Sequence, residues 1–147
     1  MEIERKFTVK EIPYDLENFE ILEIEQAYLC INPVVRIRKE NDDYYLTYKG
    51  KGQMEREEYN LPLTKESFNH LKEKADGNIL TKKRYLIPCE VYTIELDIFS
   101  GKFEGLIIAE VEFDSREDAT AFIPPEWFDE DVTFSKKHHN SYLSTLE

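Results

Sequence analysis

The chain has 147 residues, a length that favours one domain covering residues 1–147. Its composition, with 41% hydrophobic and 13% aromatic residues, is typical of a globular protein and excludes a disordered one. The formal net charge of −12 argues against nucleic acid and against an anionic membrane surface as partners, because both are bound through basic faces.

The sequence shows no targeting signal and no disulfide pattern. No segment has the length and hydropathy of a membrane span, and residues 1–6 lack the apolar region of a signal peptide. Cys30 and Cys89 have neither metal-binding nor redox spacing, so we expect reduced, structural cysteines. These observations predict a cytoplasmic protein and leave both a monomer and a homodimer open.

Strand patterns dominate the chain. Alternating or β-rich segments predict strands at 2–9, 26–31, 34–39, 44–49, 54–61, 81–87, 91–99 and 106–113. Because these segments follow one another through short turns, they favour an antiparallel sheet. Helices are predicted at 65–75, with Thr64 as N-cap, and at 116–123, with Ser115 as N-cap. Shorter helices are predicted near 14–19 and 140–146.

Charged residues on the polar faces of the strands are the most informative feature. Residues two apart share a strand face. The polar faces are Glu2/Glu4/Lys6, Arg36/Arg38, Thr47/Lys49, Arg56/Glu58, Lys82/Arg84, Glu95/Asp97 and Glu110/Glu112. An ordinary sheet with one solvated face explains the alternation. It explains poorly why like charges are doubled on single strands, where they repel unless an opposite charge lies between them.

A count of charges separates these faces from the rest of the chain. The faces hold seven acids and seven bases, which leaves 24 of the 31 acids and 12 of the 19 bases elsewhere. Taken together, these strand faces have no net charge, and the rest of the chain carries the whole net charge of −12. A sheet of about eight strands that closes has room inside for side chains or one small ligand. Such an interior would suit a phosphate-bearing anion bound with divalent cations.

The order of these motifs resembles that of the CYTH domains, or triphosphate tunnel metalloenzymes. Residues 2–6, Glu-Ile-Glu-Arg-Lys, match the family's Glu-x-Glu-x-Lys. The later motifs follow in the family's order: Arg36-Ile37-Arg38, Lys49 before a glycine turn, Arg56-x-Glu58, Lys82-x-Arg84, Glu95-Leu96-Asp97 and Glu110-Val111-Glu112. The tail over 131–140 is similar to the family's closing segment, so the resemblance covers nearly the whole chain.

The resemblance implies an α+β fold, an eight-stranded antiparallel closed β-barrel or tunnel with a few helices packed outside, which binds a linear triphosphate. The implied phosphate-binding residues are Lys6, Arg36, Arg38, Lys49, Arg56, Lys82, Arg84 and, from the tail, Lys136 or Lys137. The implied ligands of Mg²⁺ or Mn²⁺, as one or two ions, are Glu2, Glu4, Glu58, Glu95, Asp97, Glu110 and Glu112. The implied catalytic residues are Glu4, Lys6 and Glu112.

Two positions depart from the family pattern. Residues 137–139 are Lys-His-His where an Arg-Tyr-Ser type of run is common, and Asn60 stands where a second glutamate often follows Arg-x-Glu-x. These departures leave open how the tail contacts the tunnel and what the strand around residue 60 contributes.

The expected activity is metal-dependent hydrolysis of a terminal phosphoanhydride. Inorganic tripolyphosphate is the first expected substrate because nothing marks a nucleoside pocket, and nucleoside triphosphates and longer polyphosphate stay open. A class IV-type adenylate cyclase or a thiamine triphosphatase on the same tunnel are alternatives. The latter needs an aromatic platform, for which Tyr14, Phe19 and Trp127 are available. A non-catalytic polyphosphate-binding module is a further alternative, and the paired carboxylates favour an enzyme over it.

Overall fold

The computed structural model describes residues 1–146. Its strands are β1 (Glu2–Val9), β2 (Glu20–Ile31), β3 (Val34–Glu40), β4 (Asp43–Lys49), β5 (Glu55–Arg56), β6 (Glu58–Pro62), β7 (Asp76–Cys89), β8 (Tyr92–Ser100), β9 (Ile107–Phe113) and β10 (Phe128–Asp131). Its α-helices are α1 (Lys65–Lys72), α2 (Arg116–Ala121) and α3 (Asn140–Leu143). Short 3₁₀ helices lie at Leu16–Asn18, Gly101–Phe103 and Lys136–His138.

Antiparallel pairing nearly closes the sheet into a barrel. The strands pair in the order β10-β1-β9-β8-β7-β2-β3-β4-β6, and β5 pairs with β1. Only Glu57 separates β5 from β6, so these are two parts of one interrupted strand that joins β1 to β4. Counted in this way the wall has the eight predicted strands, and β10 is a ninth, added on β1. The barrel is confirmed, and its closure is incomplete because β5 contributes only two paired residues.

Two strands are longer than their sequence pattern predicts. β2 begins at Glu20 rather than near residue 26, and β7 begins at Asp76 rather than at residue 81. The two strands pair with each other along most of this length, from Glu20 opposite Leu86 to Tyr28 opposite Asp76. Pairing in the sheet therefore overrides the weak strand preference of the polar residues around position 77. β10, which the pattern does not predict, has four residues, too few for an alternation to stand out.

The two main helices begin where predicted and end earlier. Thr64 Oγ1 accepts the backbone N–H of Ser67, and Ser67 Oγ accepts the backbone N–H of Thr64, which forms a capping box. The segment predicted as helical at 14–19 contains only a 3₁₀ turn, and that at 140–146 contains one turn of α3. Within residues 1–146, no helix combines the length and the hydropathy that crossing a membrane requires.

The hydrophobic core lies outside the barrel wall. Phe7 and Val111 alternate with charged residues on β1 and β9, and they pack in one cluster with Phe122, which follows α2. Elsewhere α1 places Phe68 in a cluster with Ile37 of β3. Because side chains alternate across a strand, packing the apolar residues outward turns the charged residues of the same strands into the barrel.

Candidate active site in the barrel interior

A cavity of about 370 Å³ occupies the interior of the barrel. Strands β1 to β9 all contribute to its lining, together with residues 139–141 of the C-terminal segment. The site residues predicted from the sequence that line it are Glu2, Glu4, Lys6, Arg36, Arg38, Lys49, Arg56, Glu58, Arg84, Glu95, Glu110 and Glu112. Twelve of the charged residues predicted from the strand faces therefore surround one cavity inside the barrel.

Four other predicted site residues do not line this cavity: Lys82, Asp97, Lys136 and Lys137. Lys82 and Asp97 have fully buried side chains, with 2.7 Å between Lys82 Nζ and Asp97 Oδ2. Arg84 donates to the same carboxylate from Nε at 2.7 Å and from Nη2 at 2.9 Å. Burial lowers the pKa of the Lys82 ammonium to about 7 despite Asp97. Lys136 is exposed and lines a separate cavity at one end of the barrel.

Carboxylates gather on the wall formed by β1, β9 and β8. The strand register places Glu4 opposite Glu112, and Glu95 opposite Glu110. Lys6 Nζ lies 3.6 Å from Glu110 Oε1 and 3.8 Å from Glu4 Oε1. One lysine thus lies between two glutamates, and we refer to these three strands as the acidic wall.

The pKa values on the acidic wall show where negative charge is in excess. Burial and neighbouring carboxylates raise the pKa of Glu112 to about 7. Burial and the adjacent Glu110 raise the pKa of Glu4, and burial raises that of Glu95 although Arg84 Nη1 is 3.1 Å away. Although burial acts in the opposite direction, the cations around Glu110 hold its pKa well below the usual range. Nearby cations therefore do not offset the burial of Glu4, Glu95 and Glu112, whereas they do offset the burial of Glu110.

Two arginines on β3 have no carboxylate partner. In the part of the chain that the structure describes, neither Arg36 nor Arg38 forms an ion pair. Arg36 Nη2 donates to Thr47 Oγ1 at 3.3 Å, and its buried Nε has no hydrogen-bond partner among residues 1–146. Arg38 Nε donates to Gln26 Oε1 at 2.9 Å. Burial, with Arg36 and Arg84 nearby, lowers the pKa of Arg38 to about 10, which marks an excess of positive charge.

The barrel topology places these arginines across from the acidic wall. From β9, the centre of that wall, β3 is the fourth strand in one direction, through β8, β7 and β2. It is also the fourth strand in the other direction, through β1, the interrupted β5–β6 strand and β4. In an eight-stranded barrel, four strands are half of the circumference. An uncompensated basic strand therefore faces uncompensated carboxylates across the cavity.

Ion pairs connect the interrupted β5–β6 strand with β1 and β4, where the barrel closes. Lys49 Nζ lies 2.9 Å from Glu2 Oε1 and 3.3 Å from Glu58 Oε2. Arg56 Nε lies 3.7 Å from Glu2 Oε1, and this buried nitrogen has no hydrogen-bond partner in residues 1–146. Asn60 Nδ2 donates to Glu58 Oε1 at 3.2 Å. The residue that departs from the family pattern thus orients an acid of the site instead of adding another.

His139 links the C-terminal segment to the site. Its Nε2 lies 3.1 Å from the carbonyl oxygen of Thr133, which assigns the ring proton to Nε2. Nδ1 then carries no proton and accepts a hydrogen bond from Lys6 Nζ at 3.4 Å. Burial and Lys6 lower the pKa of His139 to about 4, so the ring is neutral near pH 7. The Lys-His-His run therefore places an uncharged ring beside a predicted catalytic lysine.

Neutral residues join the site without being predicted from the sequence. Gln26 and Tyr28 are two apart on β2, and Gln26 Nε2 donates to the Tyr28 hydroxyl at 3.1 Å. Gln26 also holds Arg38, as described above. The alternation of β2 is the signal that could have identified this pair. A search for doubled charges does not detect it, because both side chains are neutral.

The acidic wall offers the hard oxygen ligands that Mg²⁺ and Mn²⁺ prefer. Within residues 1–146, no group of three or more His, Cys, Asp or Glu side chains is arranged as a ready-made ion site. The raised pKa values of Glu4, Glu95 and Glu112 nevertheless mark a local excess of negative charge. A divalent cation would relieve that excess, so the chemistry of the donor set fits such an ion.

The fold and the site define a tunnel protein with a basic and an acidic wall facing each other. The family model of the CYTH domain matches residues 1–141, and the chain belongs to this family. The resemblance seen in the motifs is therefore confirmed over nearly the whole sequence.

Relatives of known name are similar over most of their length. The inorganic triphosphatase of Nitrosomonas europaea is 36% identical, with 97% of this chain and 96% of the relative covered. The inorganic triphosphatase of Acetivibrio thermocellus is also 36% identical, with 97% and 92% covered. A solved inorganic triphosphatase structure superposes on 100% of this chain and 96% of its own, with a TM-score of 0.73 and 32% identity.

Removal of Asp97 should destabilise the barrel strongly. Asp97→Ala leaves Lys82 and Arg84 without the carboxylate between them, and the loss of one partner of a buried ion pair costs about 3–5 kcal/mol. Urea unfolding measures the difference in free energy. The double variant Asp97→Leu with Lys82→Met removes both charges of the closest pair and should recover part of the loss. Equal stability of Asp97→Ala and the unmodified chain would contradict the pairing.

Glu112 should make the metal-free chain less stable as the pH rises. Its pKa is raised from an ordinary 4.5 to about 7 on folding, so its contribution to stability is full below pH 4.5 and is lost as the pH rises through 7. Glu112→Gln keeps the uncharged form and should melt at a higher temperature than the unmodified chain at pH 8, with a smaller gap at pH 5. Melting curves in chelator test this, with the exposed Glu126→Gln as control. A gap that does not change with pH would refute the assignment.

Proposed function

We propose that the chain hydrolyses the terminal phosphoanhydride bond of a linear triphosphate, with inorganic tripolyphosphate as the first candidate substrate. The observation that carries this proposal is that Arg36 and Arg38, which have no carboxylate partner within the described residues, face the acidic wall across the barrel cavity. A triphosphate with a divalent cation would compensate both sides together. The phosphate oxygens would accept hydrogen bonds from the guanidinium groups, and the carboxylates would bind the cation.

Two further observations support an inorganic substrate. Both relatives that are 36% identical over nearly this whole chain are inorganic triphosphatases. Charged and hydrogen-bonding side chains make up most of the cavity lining, in which Leu22 and Val34 are the only aliphatic residues and, besides His139, Tyr28 and Tyr45 the only aromatic ones among those described. A nucleobase is usually seated on apolar or aromatic surface, whereas a bare phosphate chain needs only charges and hydrogen-bond donors.

The basic side chains would bind the phosphate chain and offset charge that develops during the reaction. Phosphoryl transfer leaves little covalent work to the protein, so positioning and charge stabilisation dominate. Arg36 Nε and Arg56 Nε are buried donors without hydrogen-bond partners in residues 1–146, and each would gain an acceptor from a phosphate. Thr47 and Gln26 already hold Arg36 and Arg38, which reduces the rearrangement that binding requires.

The acidic wall would hold one or two Mg²⁺ or Mn²⁺ ions. Glu4, Glu95 and Glu112 are the first candidate ligands because their pKa values are raised in the metal-free chain. When bound, the ions supply charge neutralisation on the phosphates and a more acidic water. The other candidate ligands, each engaged by a lysine or an arginine, are Glu2, Glu58, Asp97 and Glu110.

Glu112 is the proposed acceptor of the proton that the attacking water gives up. Its carboxylate lines the cavity opposite Glu4 on the neighbouring strand and forms no ion pair within the described residues, so it is available to take up a proton. Lys6 lies close to Glu4 and Glu110, and these carboxylates raise its pKa although burial acts to lower it. The ammonium of Lys6 therefore stays charged and would bind phosphate oxygens.

The setting proposed for this activity is the cytoplasm. Cys30 and Cys89 are both free thiols, which suits a reducing compartment. The net charge of −12 favours a small polyanion held in an internal site over nucleic acid bound on the surface.

The test is phosphate release from tripolyphosphate, ATP and thiamine triphosphate, each with Mg²⁺, with Mn²⁺ and with chelator. Release from tripolyphosphate should be the fastest and should stop in chelator. Arg38→Ala should lower kcat/KM by roughly 10²-fold, and Glu4→Gln by a similar factor, because each removes a group that stabilises the transition state. Glu23→Gln and Lys83→Gln, which are exposed on strands of the same barrel, serve as controls.

The outcomes of this assay separate the candidate reactions. Undiminished turnover in both Arg38→Ala and Glu4→Gln would refute the site. Cyclic AMP as the product from ATP would favour a cyclase on the same tunnel. Binding of tripolyphosphate without phosphate release, under all metal conditions, would favour a binding module.

A further inference from the structure

A second cavity, of about 450 Å³, lies at the end of the barrel where the β2–β3 turn meets the C-terminal segment. Lys51, Arg56 and Lys136 contribute to its lining, and no Asp or Glu among the described residues does. This is unusual in a chain with 31 acidic residues and a net charge of −12. We call this cavity, with its three basic residues, the basic end pocket.

The basic end pocket adjoins the tunnel. Val34, Arg56, His139 and Ser141 line both cavities. Arg56 Nε is buried and without a hydrogen-bond partner in residues 1–146, so this side chain has unused donor capacity at the boundary. Lys51 and Lys136 are exposed and form no ion pair within the described residues. Positive charge therefore continues from the tunnel into the pocket, where Arg56 has Glu2, 3.7 Å away, as its partner and the described pocket lining adds no carboxylate of its own.

The opposite end of the barrel has the opposite charge. A cavity of about 590 Å³ next to the β7–β8 turn is lined by Glu95, Glu112, Asp114 and Asp118, and by no Lys or Arg among the described residues. The register places the end of β2 beside the start of β7, so the β2–β3 and β7–β8 turns lie at opposite ends. A polyanion along the barrel axis is attracted at one end and repelled at the other.

The loop that carries Lys51 has a defined backbone. Gly52 has a φ of 120°, a conformation that side-chain-bearing residues rarely adopt, and a Cβ there would clash with the carbonyl oxygen of Glu55. Gly50 lies between the end of β4 and Lys51. The backbone N–H of Gly50 donates to the carbonyl oxygen of Glu57 at 3.0 Å. The loop thus presents the lysine from a fixed position next to the tunnel.

We propose that the basic end pocket is an extension subsite for the phosphates beyond the third in a longer linear polyphosphate. The inference rests on the proposed function, because the tunnel must first hold a terminal triphosphate. Each added phosphate brings negative charge, and the acidic end would repel it while the basic end pocket would attract it. Lysine binds phosphate as a mobile point charge, which suits a flexible chain without fixed geometry.

The test compares two substrates in the same protein. For the unmodified chain, Lys51→Gln and Lys51→Glu, kcat/KM is measured with tripolyphosphate and with long-chain polyphosphate. The value for tripolyphosphate should stay within about twofold, because Lys51 does not line the tunnel. The value for long-chain polyphosphate should fall about fivefold in Lys51→Gln, as expected for loss of one partly solvated charge contact, and further in Lys51→Glu. The difference should shrink at high salt.

Lys74→Gln is the matched control, since it removes an exposed lysine just after α1, away from both cavities. Equal losses on both substrates, or no loss on long-chain polyphosphate, would overturn the inference. An unmodified chain that cleaves tripolyphosphate but not long-chain polyphosphate would overturn it while leaving the proposed function intact. An unmodified chain that cleaves neither would remove the proposed function and the inference together.

Discussion

Burial of an ionised side chain costs several kcal/mol unless a partner of opposite sign is close, and this barrel buries many ionised side chains in one interior. Most of the cost is met locally. Lys82 and Arg84 share Asp97, and Lys49 lies between Glu2 and Glu58. The compensation stops at the two walls that face each other. There Arg36 and Arg38 of β3 form no ion pair within the described residues. On the opposite wall, the pKa values of Glu4, Glu95 and Glu112 stay raised although Lys6 lies near Glu4 and Arg84 near Glu95.

This separation of charge connects the fold to the proposed chemistry. If the two walls could reach each other, their side chains would form ion pairs and the site would be neutral and closed. The barrel prevents this because half of its circumference lies between β3 and β9. A bound triphosphate with its metal ions supplies the missing charges in between. Burial, and after it neighbouring like charges, lowers the pKa of Arg38 on one wall and raises that of Glu112 on the other.

Apolar packing outside the barrel wall offsets part of the free energy that burying these charges costs. The core formed around Phe7 and Phe122 belongs to the same strands that carry the charges, and alternation alone assigns each residue to one side. A shift of one residue in register would place glutamates in the core and phenylalanines in the tunnel, so a single register is strongly favoured. Fold and site are therefore specified by one pattern.

That pattern explains which parts of the structure could be predicted from the sequence. The strand faces and twelve lining residues follow from alternation, which is a local property. The burial of Lys82 and Asp97 behind the cavity does not follow, because depth along a barrel depends on the stagger of neighbouring strands. The position of His139 beside Lys6 and of Lys136 in the basic end pocket depends on how the tail packs, and its short 3₁₀ and α turns carry no strong periodicity.

One metal-bound triphosphate should complete the two facing walls of the barrel. A crystal structure of the chain with tripolyphosphate and a divalent cation, under conditions that prevent turnover, tests this most directly. We expect phosphate density in the tunnel in contact with Arg36 and Arg38, with the cation bound to at least two glutamates of the acidic wall. Phosphate bound only outside the barrel, or an interior in which those arginines contact no phosphate, would contradict it.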